Sequence, residues 1–214
     1  MLLEQDVVNI LKTFAEFKVV SNCVVINNSN NAIHNAYRSI YYDDAEHKFF
    51  EYIDFKNSCS KRAIAIGINP SLIENSTMDF TNKELVTYLS DNSYGGYILL
   101  NLYSKRTEGK VMLQKYNLSM IGSQDILNDS SNFITQILNN SKCSEDILIF
   151  WGQAFLKNIG ILNLNLKNAL SAKFSTCYYS SGVKKAFIHP GTKNKSGQSR
   201  LKSFDKLIAG KIYW

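Results

Sequence analysis

Asn69, Asn101 and His189 each stand directly after a short apolar run: Asn69 after "AIAIGI", Asn101 after "GYILL" and His189 after "KAFI". Carboxamides and an imidazole at the ends of apolar segments can donate and accept hydrogen bonds to a ligand or to charge developing in a reaction. The chain has only 2 prolines, Pro70 and Pro190, and each directly follows one of these residues. Proline there ends a strand, fixes φ and removes an N–H that a strand interior would need. Trp151-Gly152 closes a fourth apolar run in the same way. Each residue also has an ordinary structural use. Asn69 could cap a turn before a helix, Asn101 could be a turn residue at a strand end, and a lone histidine such as His189 is often structural. Trp151 reads as packing.

The four runs, at 62–70, 96–101, 146–152 and 185–191, are continuous rather than alternating, as expected of strands buried on both faces of a mainly parallel sheet. Helical spacing separates them, over 81–91 with Thr81 as its cap, over 123–140, after 152, and over 196–210. The alternation predicts an α/β fold: a three-layer α/β/α sandwich with a central, mainly parallel four-stranded sheet. Before it, residues 2–17 carry the apolar spacing of a helix, and "NCVVINN", "AYRSIYY" and "KFFEYIDF" read as short antiparallel strands attached to the main sheet. The expected organisation is one domain over 1–214, with residues 1–60 as an extension and 61–214 as the core. Ligands of open α/β sheets bind at the carboxyl ends of the strands, so Asn69, Asn101, Trp151 and His189 should converge on one edge.

Composition narrows the classes. At 214 residues with 45% hydrophobic and 20% charged residues, the chain is large enough for its own core and typical of a water-soluble domain. No run approaches the roughly 18 apolar residues of a membrane span. The start, "MLLEQDVVNILKTF", has acids where a signal peptide would be apolar, so a cytoplasmic location is expected. Cys23, Cys59, Cys143 and Cys177 form no Cys-x-x-Cys pair and read as buried thiols rather than metal ligands. No glycine-rich phosphate motif is present, so no cofactor is expected. Residues 151–214 hold 11 of the 24 Lys+Arg but a single acid, Asp205. A one-signed segment of this kind suits a polyanion such as DNA, the alternative being a solvated basic face.

These motifs, in this order, resemble the uracil-DNA glycosylase superfamily. "GINPS" is similar to its water-positioning loop, in the form found in the mismatch-specific branch. "YILLNLYSKR" resembles the strand whose terminal asparagine reads a flipped base, "LIFWGQAF" the Trp-Gly strand end, and "FIHPGTKNKSGQSRL" the His-Pro loop with its following helix. The set "INPS…MDFT…NLYSKRT…WG…HP" also resembles a bacterial family described only as a domain of unknown function. The resemblance covers about residues 62–207.

It implies a monomeric, metal-independent DNA glycosylase that hydrolyses the N-glycosidic bond of a base turned out of the stack. Asn69 would place the attacking water, Asn101 would read the Watson–Crick edge, and His189 would donate to O2 as charge collects there. Gly67 and Ser71 would line the base pocket, and Phe80 would stack on the ring unless it is ordinary core. Lys193, Lys195, Ser199, Arg200 and Arg106 would meet DNA; Arg200 could instead fill the gap left by the flipped nucleotide. Outside the resemblance, the first 60 residues could complete a DNA-binding edge with Tyr37, Arg38 and Tyr41 as contacts. Two departures bear on substrate. Fast uracil-specific members have aspartate where this chain has Asn69, which leaves Glu74 or, better, Asp79 as the candidate base. They also have a tyrosine that excludes position-5 substituents, where this chain has Ser71 and Leu72. The expected substrate is therefore a modified pyrimidine, such as the hydroxymethylated or glucosylated cytosine of phage DNA, with uracil or mismatch repair and inactive binding to modified DNA as alternatives.

Overall fold

The computed structural model describes residues 2–14, 20–26, 36–42, 47–55, 57–68, 70, 79–103, 124–141, 145–150, 163–181, 201 and 203–206. Within them the chain is α/β with a mixed sheet. A first helix, α1 (Glu4–Leu11), precedes three strands, β1 (Val20–Ile26), β2 (Ala36–Tyr42) and β3 (Lys48–Asp54). Then come β4 (Arg62–Gly67), α2 (Phe80–Asp91), β5 (Gly96–Asn101), α3 (Gln124–Asn140), β6 (Asp146–Ile149), α4 (Leu164–Ala172), β7 (Cys177–Ser181) and β8 (Ser203–Lys206). Eight strands form one sheet in the order β1-β2-β3-β5-β4-β6-β7-β8. β5, β4, β6 and β7 run parallel to one another, while β1, β2 and β3 extend one edge antiparallel and β8 closes the other, also antiparallel.

Burial on both faces explains the continuous apolar runs. Every residue of β4 is buried. Ile64 and Ile66 point into the core shared with α1, α3 and α4, while Ala63 and Ala65 face the core under α2. Each fully buried isoleucine contributes about 1.5–3 kcal/mol. On α2, Leu85, Val86 and Leu89 cover the alanine face. On α3, Phe133, Ile134, Ile137 and Leu138 recur at helical spacing and cover the other.

The antiparallel strands before residue 60 join the main sheet through β3 and β5, the attachment expected of these three short segments. Two expectations change, and one falls outside the described residues. The parallel strand beside β6 is β7, "CYYSS", which is too short and too polar for an apolar-run reading to pick out. The run at 185–191 that was read as the fourth strand lies outside the described residues. Within the helix read over 196–210, residues 203–206 instead form β8. Apolar residues at 201, 204, 207 and 208 satisfy a helical period, but the free edge of β7 offers backbone partners, and Tyr178 to Ser181 pair with Lys206 to Ser203. Phe204 is buried against the Tyr88 ring at 5.1 Å, and its N–H donates to Tyr88 Oη at 3.2 Å. The four-stranded sheet is thus part of a wider one. The N-terminal helix, read over 2–17, spans Glu4–Leu11. In the helical stretch read after 152, Asn163 caps α4 by accepting from Asn165 N at 2.8 Å and Leu166 N at 3.2 Å.

Candidate functional site

β4 and β5 end side by side, with Gly67 in register with Asn101. Their pairing continues past the strand ends, since Leu102 N donates to Gly67 O at 3.1 Å and Tyr103 N to Ile68 O at 2.8 Å. On the other flank Phe150 N donates to Ile66 O at 3.1 Å, which brings the end of β6 to the same edge. Gly67 is small for a visible reason. A Cβ there would lie 2.8 Å from Asn101 Oδ1 and 2.8 Å from Phe150 Cε2. The Asn101 amide therefore sits over Gly67, beside the Phe150 ring. Asn101 is buried, yet among the described residues its amide forms no hydrogen bond. An amide held at a strand end without such a bond can be met by a ligand.

The chain that leaves β4 returns as α2, whose start carries two more candidates. Asp79 is the N-cap in place of Thr81: its Oδ1 accepts from Asn82 N at 2.7 Å. Phe80 is the first helical residue and is half-buried. Directly behind, Asn82 enters a buried polar cluster. Its Nδ2 donates to Glu51 Oε2 at 3.1 Å, and its Oδ1 accepts from Tyr97 Oη at 2.7 Å. Glu51 also accepts from Arg38 Nε and Nη2, at 2.8 and 2.7 Å, and from Lys48 Nζ at 2.6 Å. Burial alone would raise the Glu51 carboxyl, but the charges and hydrogen bonds of Lys48 and Arg38 outweigh it and hold the group at about 2. Burial also pushes the Tyr97 phenol well up, with the Glu51 charge adding to it.

This cluster corrects one expectation. Arg38 is only 2% exposed and paired with Glu51, so its guanidinium faces the interior and cannot meet a DNA phosphate. Tyr37 and Tyr41 donate to Glu4 Oε1 at 3.4 and 2.6 Å. The cluster itself was missed from sequence. The available signal was Lys48 and Glu51 inside the apolar strand "KFFEYIDF", where a charge must find a partner.

Of the remaining candidates, Asn69, Ser71, Arg106, His189, Lys193, Lys195, Ser199 and Arg200 lie outside the described residues, as do Glu74 and Trp151. The structure thus brings Gly67 and Asn101 together, adds Phe150, and puts Asp79 and Phe80 on the helix that follows β4. Cys177 is a buried free thiol, pushed by burial up to about 12, and Cys59 is a half-buried one. The side chains of Cys23 and Cys143 are not among those described. Among the described residues no group of three or more His, Cys, Asp or Glu could hold a metal ion, and no helix is long and apolar enough to cross a membrane.

Comparison with known proteins adds a family. The model of the family described as "Protein of unknown function (DUF1643)" matches residues 54–190, which contain β4 to β7 with Gly67, Asp79, Phe80 and Asn101. No curated protein matches the chain. Among solved structures, a candidate acetyl xylan esterase from Bacteroides fragilis aligns over 97% of this chain and 61% of its own, at 12% identity and a TM-score of 0.30. The chain thus spans less than two thirds of that protein's length.

Proposed function

Given that the chain belongs to this family of proteins of unknown function, we propose that it is a DNA glycosylase acting on an extruded, modified pyrimidine. The observation that carries the reading is the seating of Asn101. Its amide lies at the carboxyl edge of the sheet, over a glycine that leaves room for it, beside an aromatic ring and without a partner among the described residues. An amide so held can read the Watson–Crick edge of one base. The ordered motifs resembling the uracil-DNA glycosylase superfamily and the basic last third of the chain add to this support.

In the proposed reaction the C1′–N bond breaks and the base leaves with the electron pair. Water placed by Asn69 supplies the hydroxyl that bonds to C1′, and Asp79 takes the released proton. His189 donates to O2 of the departing base, where negative charge collects. Ser71 and Leu72, in place of a bulky tyrosine, leave room at position 5, which favours hydroxymethylated or glucosylated cytosine and a role against phage DNA. Lys193, Lys195, Ser199, Arg200 and Arg106 serve as DNA contacts in this reading.

A second reading, recognition of a modified base without cleavage, is favoured by one observation: the Asp79 carboxylate is engaged as a helix cap. Duplexes and single strands carrying uracil, a mismatch, hydroxymethylcytosine or its glucosylated form separate the two. Alkali-labile abasic sites on a modified cytosine are the expected result. Binding without abasic sites supports the second reading, cleavage of uracil alone removes the position-5 argument, and neither binding nor cleavage of any strand rejects both readings.

A further inference from the structure

A cleft of about 500 Å³ lies between the start of α1 and the face of β2 and β3, lined by Leu3, Glu4, Tyr37, Tyr41, Tyr52 and Asp54 among others. Asp54 is in register with Gly96, the first residue of β5, so this end of the cleft lies at the amino ends of the parallel strands, away from Gly67 and Asn101. Three features decide what it could hold. First, its walls include three tyrosine rings, and one already carries a cation: Arg62 sits over Tyr52 at 5.2 Å. Second, the carboxylates are not equally neutralised. Asp54 is paired with Arg62 at 2.9 Å, whereas among the described residues Glu4 has no cationic partner. The Glu4 hydrogen bonds from Tyr41 and Tyr37 both end on Oε1 and leave Oε2 without one among the described residues. Third, the positive end of α1 does not make this an anion site. The amides of Leu2 and Leu3 are already met by Glu145 Oε1 at 2.6 Å and Asp6 Oδ2 at 2.8 Å, and the first turn itself carries Glu4 and Asp6.

From the three rings and the unneutralised carboxylate we infer that the cleft is a binding site for a small organic cation with an alkylammonium head. The head packs among the tyrosine rings, two of which have one face taken, Tyr52 by Arg62 and Tyr41 by the stacked Phe50 at 4.2 Å, and Glu4 Oε2 supplies the counter-charge. The Tyr52 phenol agrees with the negative character of the site: it is raised by burial first, with Asp54, Glu4 and Asp6 adding to the effect against Arg62. The site is independent of the glycosylase reading.

Choline and its neutral carbon isostere, 3,3-dimethylbutan-1-ol, are the probes, titrated into the full chain while the backbone amide resonances of Glu4, Tyr41 and Tyr52 are followed. Choline is expected to bind saturably and about tenfold more tightly than the isostere, and Glu4→Gln to weaken choline by about tenfold. Glutamine keeps an acceptor for Tyr41, and unchanged resonances outside the cleft check that the fold is retained. Should Glu4→Gln disturb α1, Tyr37→Leu, which leaves the carboxylate in place, is expected to weaken choline as well. Absence of saturable shifts, equal affinity for the isostere, or choline binding unchanged by both substitutions overturns the inference.

Discussion

Gly67 and Asn101 are coupled by contact, and the coupling can be measured. Alanine at position 67 would place a methyl group 2.8 Å from both Asn101 Oδ1 and the Phe150 ring. Neither neighbour is the loose end of a long side chain, so Gly67→Ala is expected to cost about 1–3 kcal/mol through overpacking, and to lower base excision by pushing the amide from its seat. Asn101→Ala is expected to behave differently. Its amide has no described partner to lose, so the thermal midpoint should stay close to that of the parent while turnover on modified DNA falls by roughly two orders of magnitude, the effect of losing one preorganised donor. Thermal unfolding with single-turnover excision separates the cases. An Asn101→Ala protein that unfolds early but cuts normally would make this residue structural.

The start of α2 poses the same question for an element. Asp79 caps the helix, and a cap needs only an acceptor oxygen, whereas a general base needs the charge and the proton affinity of a carboxylate. Asp79→Asn is therefore expected to keep the helix and the melting temperature but to slow excision, and Asp79→Ala to cost about 1 kcal/mol in addition. If Asp79→Asn cuts at the parental rate, the residue is a cap and nothing more. Cap and base are not legible apart in sequence: "MDFT" fits both, and the apolar spacing of 81–91 located the helix but not its first residue. β7 and β8 were illegible for a related reason. A short polar strand such as "CYYSS" forms because β6 offers it a ladder on one side and β8 on the other, and such pairing partners do not appear in local periodicity.

Across the whole molecule, the cluster around Glu51 joins the antiparallel edge, the parallel core and α2. Arg38 comes from β2, Lys48 and Glu51 from β3, Tyr97 from β5 and Asn82 from α2. Glu51→Gln leaves two buried cations short of their shared carboxylate and is expected to cost about 3–5 kcal/mol near neutral pH. The pH dependence follows from a carboxyl held at about 2 in the fold against 4.5 ordinarily. The unfolded chain takes up the proton first as pH falls. The stabilisation is therefore complete above about pH 4.5 and is lost as pH drops towards 2. Urea midpoints over that interval should fall more steeply for the parent than for Glu51→Gln, which cannot titrate there; parallel slopes would show that Glu51 is not the group responsible.

By itself the sequence determined the α/β class, the strands around Gly67 and Asn101, the antiparallel strands before residue 60 and the helices over most of 81–91 and 124–140. Their signals are local: unbroken apolar runs for strands covered on both faces, and a 3.6-residue period for helices covered on one. Only the tertiary structure decided which strands share an edge, that Asp79 rather than Thr81 caps α2, that Arg38 turns inward to Glu51, and that residues 203–206 are a strand. Each depends on a partner far away in the chain, and the free energy of burying or pairing a group with such a partner exceeds the small local preferences that a sequence displays.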